Sequence, residues 1–157
     1  MIQNIVFLKG DATCPSQQGV KIIAHICNDI GGWGKGFVLA LSKKWKQPEA
    51  EYRKWFKEGE NFKLGEVQFV QAQEDIFIAN MIGQHDIKRG ANGPPIRYEA
   101  VNECLNKLGL KALEINASVH IPRIGCGLAG GKWENIEPLI ISNLTERGIP
   151  VYVYDFE

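Results

Sequence analysis

The sequence predicts an α/β fold: three layers, α/β/α, built on a mixed, mostly parallel sheet of about six strands with helices on both faces. Three observations predict it. Short β-rich runs alternate along the chain with amphipathic helical segments. Two of those runs, Ile22-Ile23-Ala24 and Ile76-Phe77-Ile78-Ala79, are continuous apolar stretches, as in strands covered on both faces. Glycines cluster where strands hand over to helices.

Taken in order, the strand candidates are Asn4–Leu8, Lys21–Cys27, Glu66–Gln71, Ile76–Met81, Ser118–Ile121 and Val151–Phe156, most of them rich in Val, Ile, Phe or Tyr. The first helix is read from Phe37, Leu41 and Trp45, four residues apart, with Val38 on the same face. The second starts at Pro48, a favoured first helical position, turns Tyr52, Trp55 and Phe56 inward and stops at Gly59. Tyr98, Val101, Leu105 and Leu108 mark a third helix, with Gly109 as its expected C-terminal cap. A last helix carries Leu139, Ile140 and Leu144 and ends at Gly148, with Pro138 expected in its first turn.

The chain has 157 residues, the size of one ordinary domain, so residues 1–157 are expected to form one. Lys+Arg and Asp+Glu both number 18, a formal net charge of zero, which argues against a dedicated nucleic-acid binder. The basic run Lys43-Lys44-Trp45-Lys46 reads as a solvated helix face. Cys14, Cys27, Cys104 and Cys126 fit no zinc-ligand spacing and read as reduced thiols, so no metal and no cofactor are expected. With no evident signal peptide and no run near the roughly 18 apolar residues of a membrane span, the expectation is a cytoplasmic monomer working on a small-molecule ligand.

Two loops carry four glycines each: Asn28-Asp29-Ile30-Gly31-Gly32-Trp33-Gly34-Lys35-Gly36 after the second strand, and Gly125-Cys126-Gly127-Leu128-Ala129-Gly130-Gly131 after the fifth. Both precede helices, so both are expected at the carboxyl rim of the sheet, where α/β proteins bind ligands. Glycine lets backbone amides approach a phosphate, and a helix N-terminus favours its charge, so the two loops together suit a diphosphate. Plain tight turns are the other reading of such loops. The G-x-x-x-x-G-K-[ST] pattern fails, since Cys126 stands six residues before Lys132 and Trp133 follows it. The dinucleotide pattern fails at Phe37-Val38-Leu39 after Gly34-Lys35-Gly36. Asp11, in Gly10-Asp11-Ala12-Thr13 after the first strand, suits an exocyclic amine or a turn. Tyr154 and Phe156 offer aromatic faces to a base, or pack in the core.

These residues together resemble the macrodomain family, ADP-ribose-binding modules. The resemblance runs over essentially the whole chain. It rests on Gly10-Asp11-Ala12-Thr13, on His25-Ile26-Cys27-Asn28 before the first glycine loop, and on Pro122-Arg123-Ile124-Gly125-Cys126-Gly127-Leu128 before the second. Within the family, the stretch around Gly32-Trp33-Gly34-Lys35-Gly36 is similar to ADP-ribose-1''-phosphate phosphatases, and Pro122–Leu128 with Trp133-Glu134-Asn135 is similar to terminal ADP-ribose protein glycohydrolases. The resemblance implies that Asp11, beside Ala12, holds the adenine amine, and that Gly125, Cys126, Gly127, Leu128, Ala129, Gly130 and Gly131 wrap the diphosphate. It also implies that Asn28, Gly32, Trp33, Gly34, Lys35 and Gly36 surround the distal ribose.

The glycohydrolase branch carries a Lys after the fourth strand and an Asp in the second glycine loop. Here those positions fall at Gln84-His85 and on Ala129, with Lys88 nearby, so a lysine adduct is not expected. His25, His85 and Asp86 remain near the distal ribose as proton-transfer candidates, since His exchanges a proton near neutral pH and Asp can act as base. His25 in its apolar strand equally suits a core position, and His85 and Asp86 a solvated loop. The expected activity is hydrolysis at the 1'' position of ADP-ribose, phosphate first. An O-acetyl-ADP-ribose ester or a protein-linked ADP-ribosyl ester is a variant substrate, and a non-catalytic reader of free or protein-conjugated ADP-ribose is the alternative. His120 is read as structural, and Cys126 as a small residue where a phosphate approaches rather than as a nucleophile.

Overall fold

The computed structural model describes residues 4–88, 90 and 93–156. Six strands, β1 (Val6–Lys9), β2 (Lys21–Asn28), β3 (Val67–Gln73), β4 (Ile76–Gln84), β5 (Ser118–Ile121) and β6 (Val151–Asp155), form one sheet in the order β1-β6-β5-β2-β4-β3. All neighbours are parallel except β3, which returns antiparallel along β4 through the hairpin at Glu74-Asp75. All six predicted strands are present.

Side chains alternate across the pleat and split the core in two. Ile22 and Ala24 of β2, Val119 and Ile121 of β5, and Val151 and Val153 of β6 face one layer. That layer is α3 (Tyr98–Ile115) and α4 (Trp133–Asn143). Ile23 and Cys27 of β2 and Ile78 of β4 face the other, built on α1 (Phe37–Lys44) and α2 (Gln47–Glu58). Leu41 and Tyr52 seal this second layer, both fully buried. The basic run divides: the Trp45 indole is buried and donates to Gln73 Oε1, while Lys44 donates to the Thr13 carbonyl.

Three helix readings need correction. Gly109 caps nothing: α3 runs on to Ile115 and closes at Asn116, in the left-handed region at φ 53°. Gly109 lies inside the helix because a Cβ there would stand 2.6 Å from the Asn143 carbonyl oxygen and 2.8 Å from Arg147 Nη1. The missing side chain lets α3 and α4 approach. Pro138 sits in the second turn, not the first, because α4 starts at Trp133. That helix ends at Asn143, and Gly148 closes a separate 3-10 turn, Thr145–Arg147. Phe56, expected inward, is 44% exposed and packs edge-on against Phe62.

Candidate functional site

Because β2, β4 and β5 are parallel neighbours, their carboxyl ends open onto one rim. The loops after β2 and β5 meet there around a cleft of about 620 Å³. His25, Asn28, Gly32, Trp33, Gly34, Lys35 and Gly36 line it from the first side, and Gly125, Gly127, Leu128 and Ala129 from the second. Cys126, Gly130 and Gly131 lie in the same loop but outside the cleft wall; Gly130 faces a separate groove beside α3. Burial pushes the Cys126 thiol up, away from the reactive thiolate. Gln84, Ile87 and the Pro122–Ile124 segment also line the cleft; the sequence reading did not single out Gln84 and Ile87 as site residues.

The first loop is organised from within. Asn28 Nδ2 donates to the Gly32 carbonyl, and its Oδ1 accepts from the Ile30 and Gly32 amides at 3.1 and 2.9 Å. The buried Tyr52 hydroxyl from α2 is 2.6 Å from Asn28 O and 2.9 Å from Asn28 Oδ1. The Asn28 amide is thus spent on loop shape, and Tyr52 is a supporting residue that periodicity marked only as core. Gly31, at φ 77°, turns the chain where a Cβ would meet the Phe56 ring at 2.5 Å. Trp33 is 4% exposed; its indole N–H donates to Ser42 Oγ of α1 and its ring lies edge-on to His25. It forms part of the cleft floor, tied to α1.

His25 lies in that floor, 2% exposed. Asn80 donates its amide to Gln68 Oε1 and Pro48 O, so its Oδ1 is the acceptor for His25 Nε2–H at 2.6 Å. Burial pushes the His25 pKa down from 6.5 to about 4, against the Asn80 hydrogen bond, which raises it. A neutral, tautomer-fixed imidazole is a shaping residue and a poor general acid near pH 7.

At the other end of the rim the β1–β6 pairing joins the Asp11 turn to the last strand, with Gly10 N–H donating to Asp155 O at 2.9 Å. Asp11 Oδ1 accepts from the Thr13 amide and hydroxyl at 2.8 and 2.7 Å, and Ala12 is buried beneath. Tyr154 does not present a stacking face: it is buried, its hydroxyl held by His120 Nδ1 at 2.8 Å. Burial also pushes the Tyr154 hydroxyl up to about 12. Phe156 is 81% exposed. Asp11, Ala12, Tyr154 and Phe156 stand outside the cleft wall. Between cleft and edge, Arg123 binds both Asp155 oxygens at 2.8 Å and lies over the Phe7 and Trp133 rings at 4.9 and 4.7 Å. Its charge is committed within the fold.

His85 and Asp86 follow β4, where Gln84 pairs with Asn28 of β2. His85 Nδ1 is 2.7 Å from Asp29 Oδ2, and the Asp86 amide donates to Asp29 Oδ1 at 2.7 Å. Asp86, in the left-handed region at φ 60°, turns its own carboxylate onto the Ile87 amide. His85 and Asp86 stand outside the cleft wall, between two residues that line it, Gln84 and Ile87, and His85 is exposed. Lys88, beyond them, is exposed.

A three-layer α/β/α sheet with a cleft between glycine loops at the carboxyl ends of adjacent strands defines the class. No family model matches the chain. A macrodomain protein from Streptomyces coelicolor superposes with a TM-score of 0.87 at 56% identity, over 97% of this chain and 99% of that one. Mouse chromodomain-helicase-DNA-binding protein 1-like is 34% identical over 164 residues; they take in 98% of this chain but only 18% of that protein's length. An ADP-ribose 1''-phosphate phosphatase from Lodderomyces elongisporus is 25% identical over 97% of this chain and 99% of its own. The chain belongs to the macrodomain family.

Proposed function

We propose that the cleft binds ADP-ribose and that the chain hydrolyses the group on its 1'' carbon, with phosphate as the first candidate. The observation that carries this reading is the meeting of two glycine loops, from adjacent parallel strands, around one cleft of about 620 Å³. That volume falls within the range of small-molecule sites. The diphosphate lies against the backbone of Gly125–Ala129, near the N-terminus of α4, which no side chain caps. Adenine goes to the Asp11 edge beside the exposed Phe156 ring, and the distal ribose goes to the Gly32–Gly36 side. His85 moves the proton. It takes one from water as that water attacks the phosphate ester, and returns one to the departing ribose oxygen, giving ADP-ribose and inorganic phosphate.

The phosphatase relatives, matched over 99% and 89% of their own lengths, support this choice of leaving group. Phosphate release from ADP-ribose-1''-phosphate tests it. The reading expects multiple turnovers, lost in His85→Ala with ADP-ribose affinity retained. Tight ADP-ribose binding with no release from the phosphate or from an acetyl or glutamyl ester would instead make this a reader.

A further inference from the structure

We propose that Asp29 is the positioning residue for His85, fixing its proton on Nδ1 and leaving Nε2 as the bare acceptor, one residue along the chain from the cleft-lining Gln84. The inference rests on the hydrolase reading, and the donor inventory carries it. An ionised carboxylate can only accept, and a neutral imidazole has one N–H. The 2.7 Å contact between Asp29 Oδ2 and His85 Nδ1 therefore requires the hydrogen on Nδ1. Asp29 is held in turn. Its side chain is 17% exposed against 58% for His85, and its other oxygen takes the Asp86 amide at 2.7 Å.

The backbone around the imidazole is pinned on both sides. His85 N–H donates to Pro95 O at 2.8 Å, and Gln84 Nε2 donates to Asp86 O at 2.9 Å. Asp29 and His85 lie 56 residues apart and meet because Asn28 and Gln84 are partners across β2 and β4. The result is a half-buried carboxylate orienting an exposed imidazole that follows the cleft-lining Gln84. An imidazole held this way presents its free nitrogen to a water without spending energy on reorientation.

Asp29→Asn is the informative variant. Its amide oxygen can still accept from the Asp86 amide, while its NH2 faces His85 Nδ1 and draws the hydrogen to Nε2. Nitrogen-15 NMR of histidine-labelled protein reads the tautomer without substrate. The wild type is expected to show Nδ1–H in its neutral form, and Asp29→Asn to shift toward Nε2–H. With ADP-ribose-1''-phosphate, kcat of Asp29→Asn is expected to fall at least tenfold with KM little changed, and His85→Gln to be inactive. ADP-ribose titration of both variants verifies that the cleft has folded. Wild-type kcat in Asp29→Asn, or an Nε2–H tautomer in the wild type, overturns the assignment. Absence of wild-type turnover overturns the hydrolase reading itself, and with it any catalytic use of the pair; the tautomer separates that outcome from failure of the Asp29–His85 contact alone.

Discussion

Replacing Asn28 with alanine should loosen the first glycine loop while leaving the sheet intact. The side chain supplies one donor bond to the Gly32 carbonyl and accepts from Ile30 N, Gly32 N and the Tyr52 hydroxyl. At about 1 kcal/mol for each bond, and with Tyr52 still able to donate to Asn28 O, the loss comes to about 2–3 kcal/mol. Part of that cost falls on binding, since ADP-ribose must then order a loop that is otherwise already shaped. About 1.4 kcal/mol of it is a tenfold weaker affinity. Urea unfolding measures the stability change as a lower midpoint at constant slope, and calorimetry measures the affinity. Tyr52→Phe, which removes one donor only, should lose about 1 kcal/mol. An Asn28→Ala protein within about 0.5 kcal/mol of wild type and with unchanged affinity would refute the argument.

Gly131→Ala should weaken ADP-ribose binding at least tenfold in calorimetry, because its Cβ would stand 2.5 Å from the Gly125 carbonyl oxygen that its own amide binds at 2.7 Å. Wild-type affinity there would contradict the backbone geometry of the second loop. Gly109→Ala should lower the melting temperature, since overpacking against Asn143 O costs about 1–3 kcal/mol against roughly 1 kcal/mol of helix propensity gained; its ADP-ribose affinity should stay at the wild-type value. Burial lowers the pKa of both His25 and His120 from 6.5 to about 4. The unfolded chain therefore binds their protons first, and stability should fall as the pH drops from about 6.5 toward 4. Urea midpoints flat between pH 7 and 5 would contradict it, and His120→Gln should flatten part of the slope.

The strands were legible because β-branched and aromatic runs between glycines leave little choice of secondary structure, and Ile22-Ile23-Ala24 announced a strand covered on both faces. The two loops were legible as a pair because strand-then-helix order places both at one rim. Gly109 misled because a glycine after an apolar helical stripe has the signature of a cap, whereas this one answers to α4, 34 residues further on at Asn143. Tyr154 misled because alternation along β6 does not reveal that His120 of β5 takes its hydroxyl. Asp29 carried no local signal beyond standing next to Asn28. Its partner is fixed only by the β2–β4 register, as Arg123 and Asp155 are joined only once the ends of β5 and β6 lie side by side.

The cleft's identity as an ADP-ribose site is tested most directly by calorimetric titration of the wild type with ADP-ribose, against ADP and AMP. Micromolar binding of ADP-ribose is expected, with at least tenfold weaker binding of ADP and AMP, which lack the distal ribose assigned under the proposal to the Gly32–Gly36 side of the cleft, and loss of binding in Asp11→Ala. Equal affinity for all three would contradict the role given to the first loop. No binding of any of them would return both glycine loops to the status of turns.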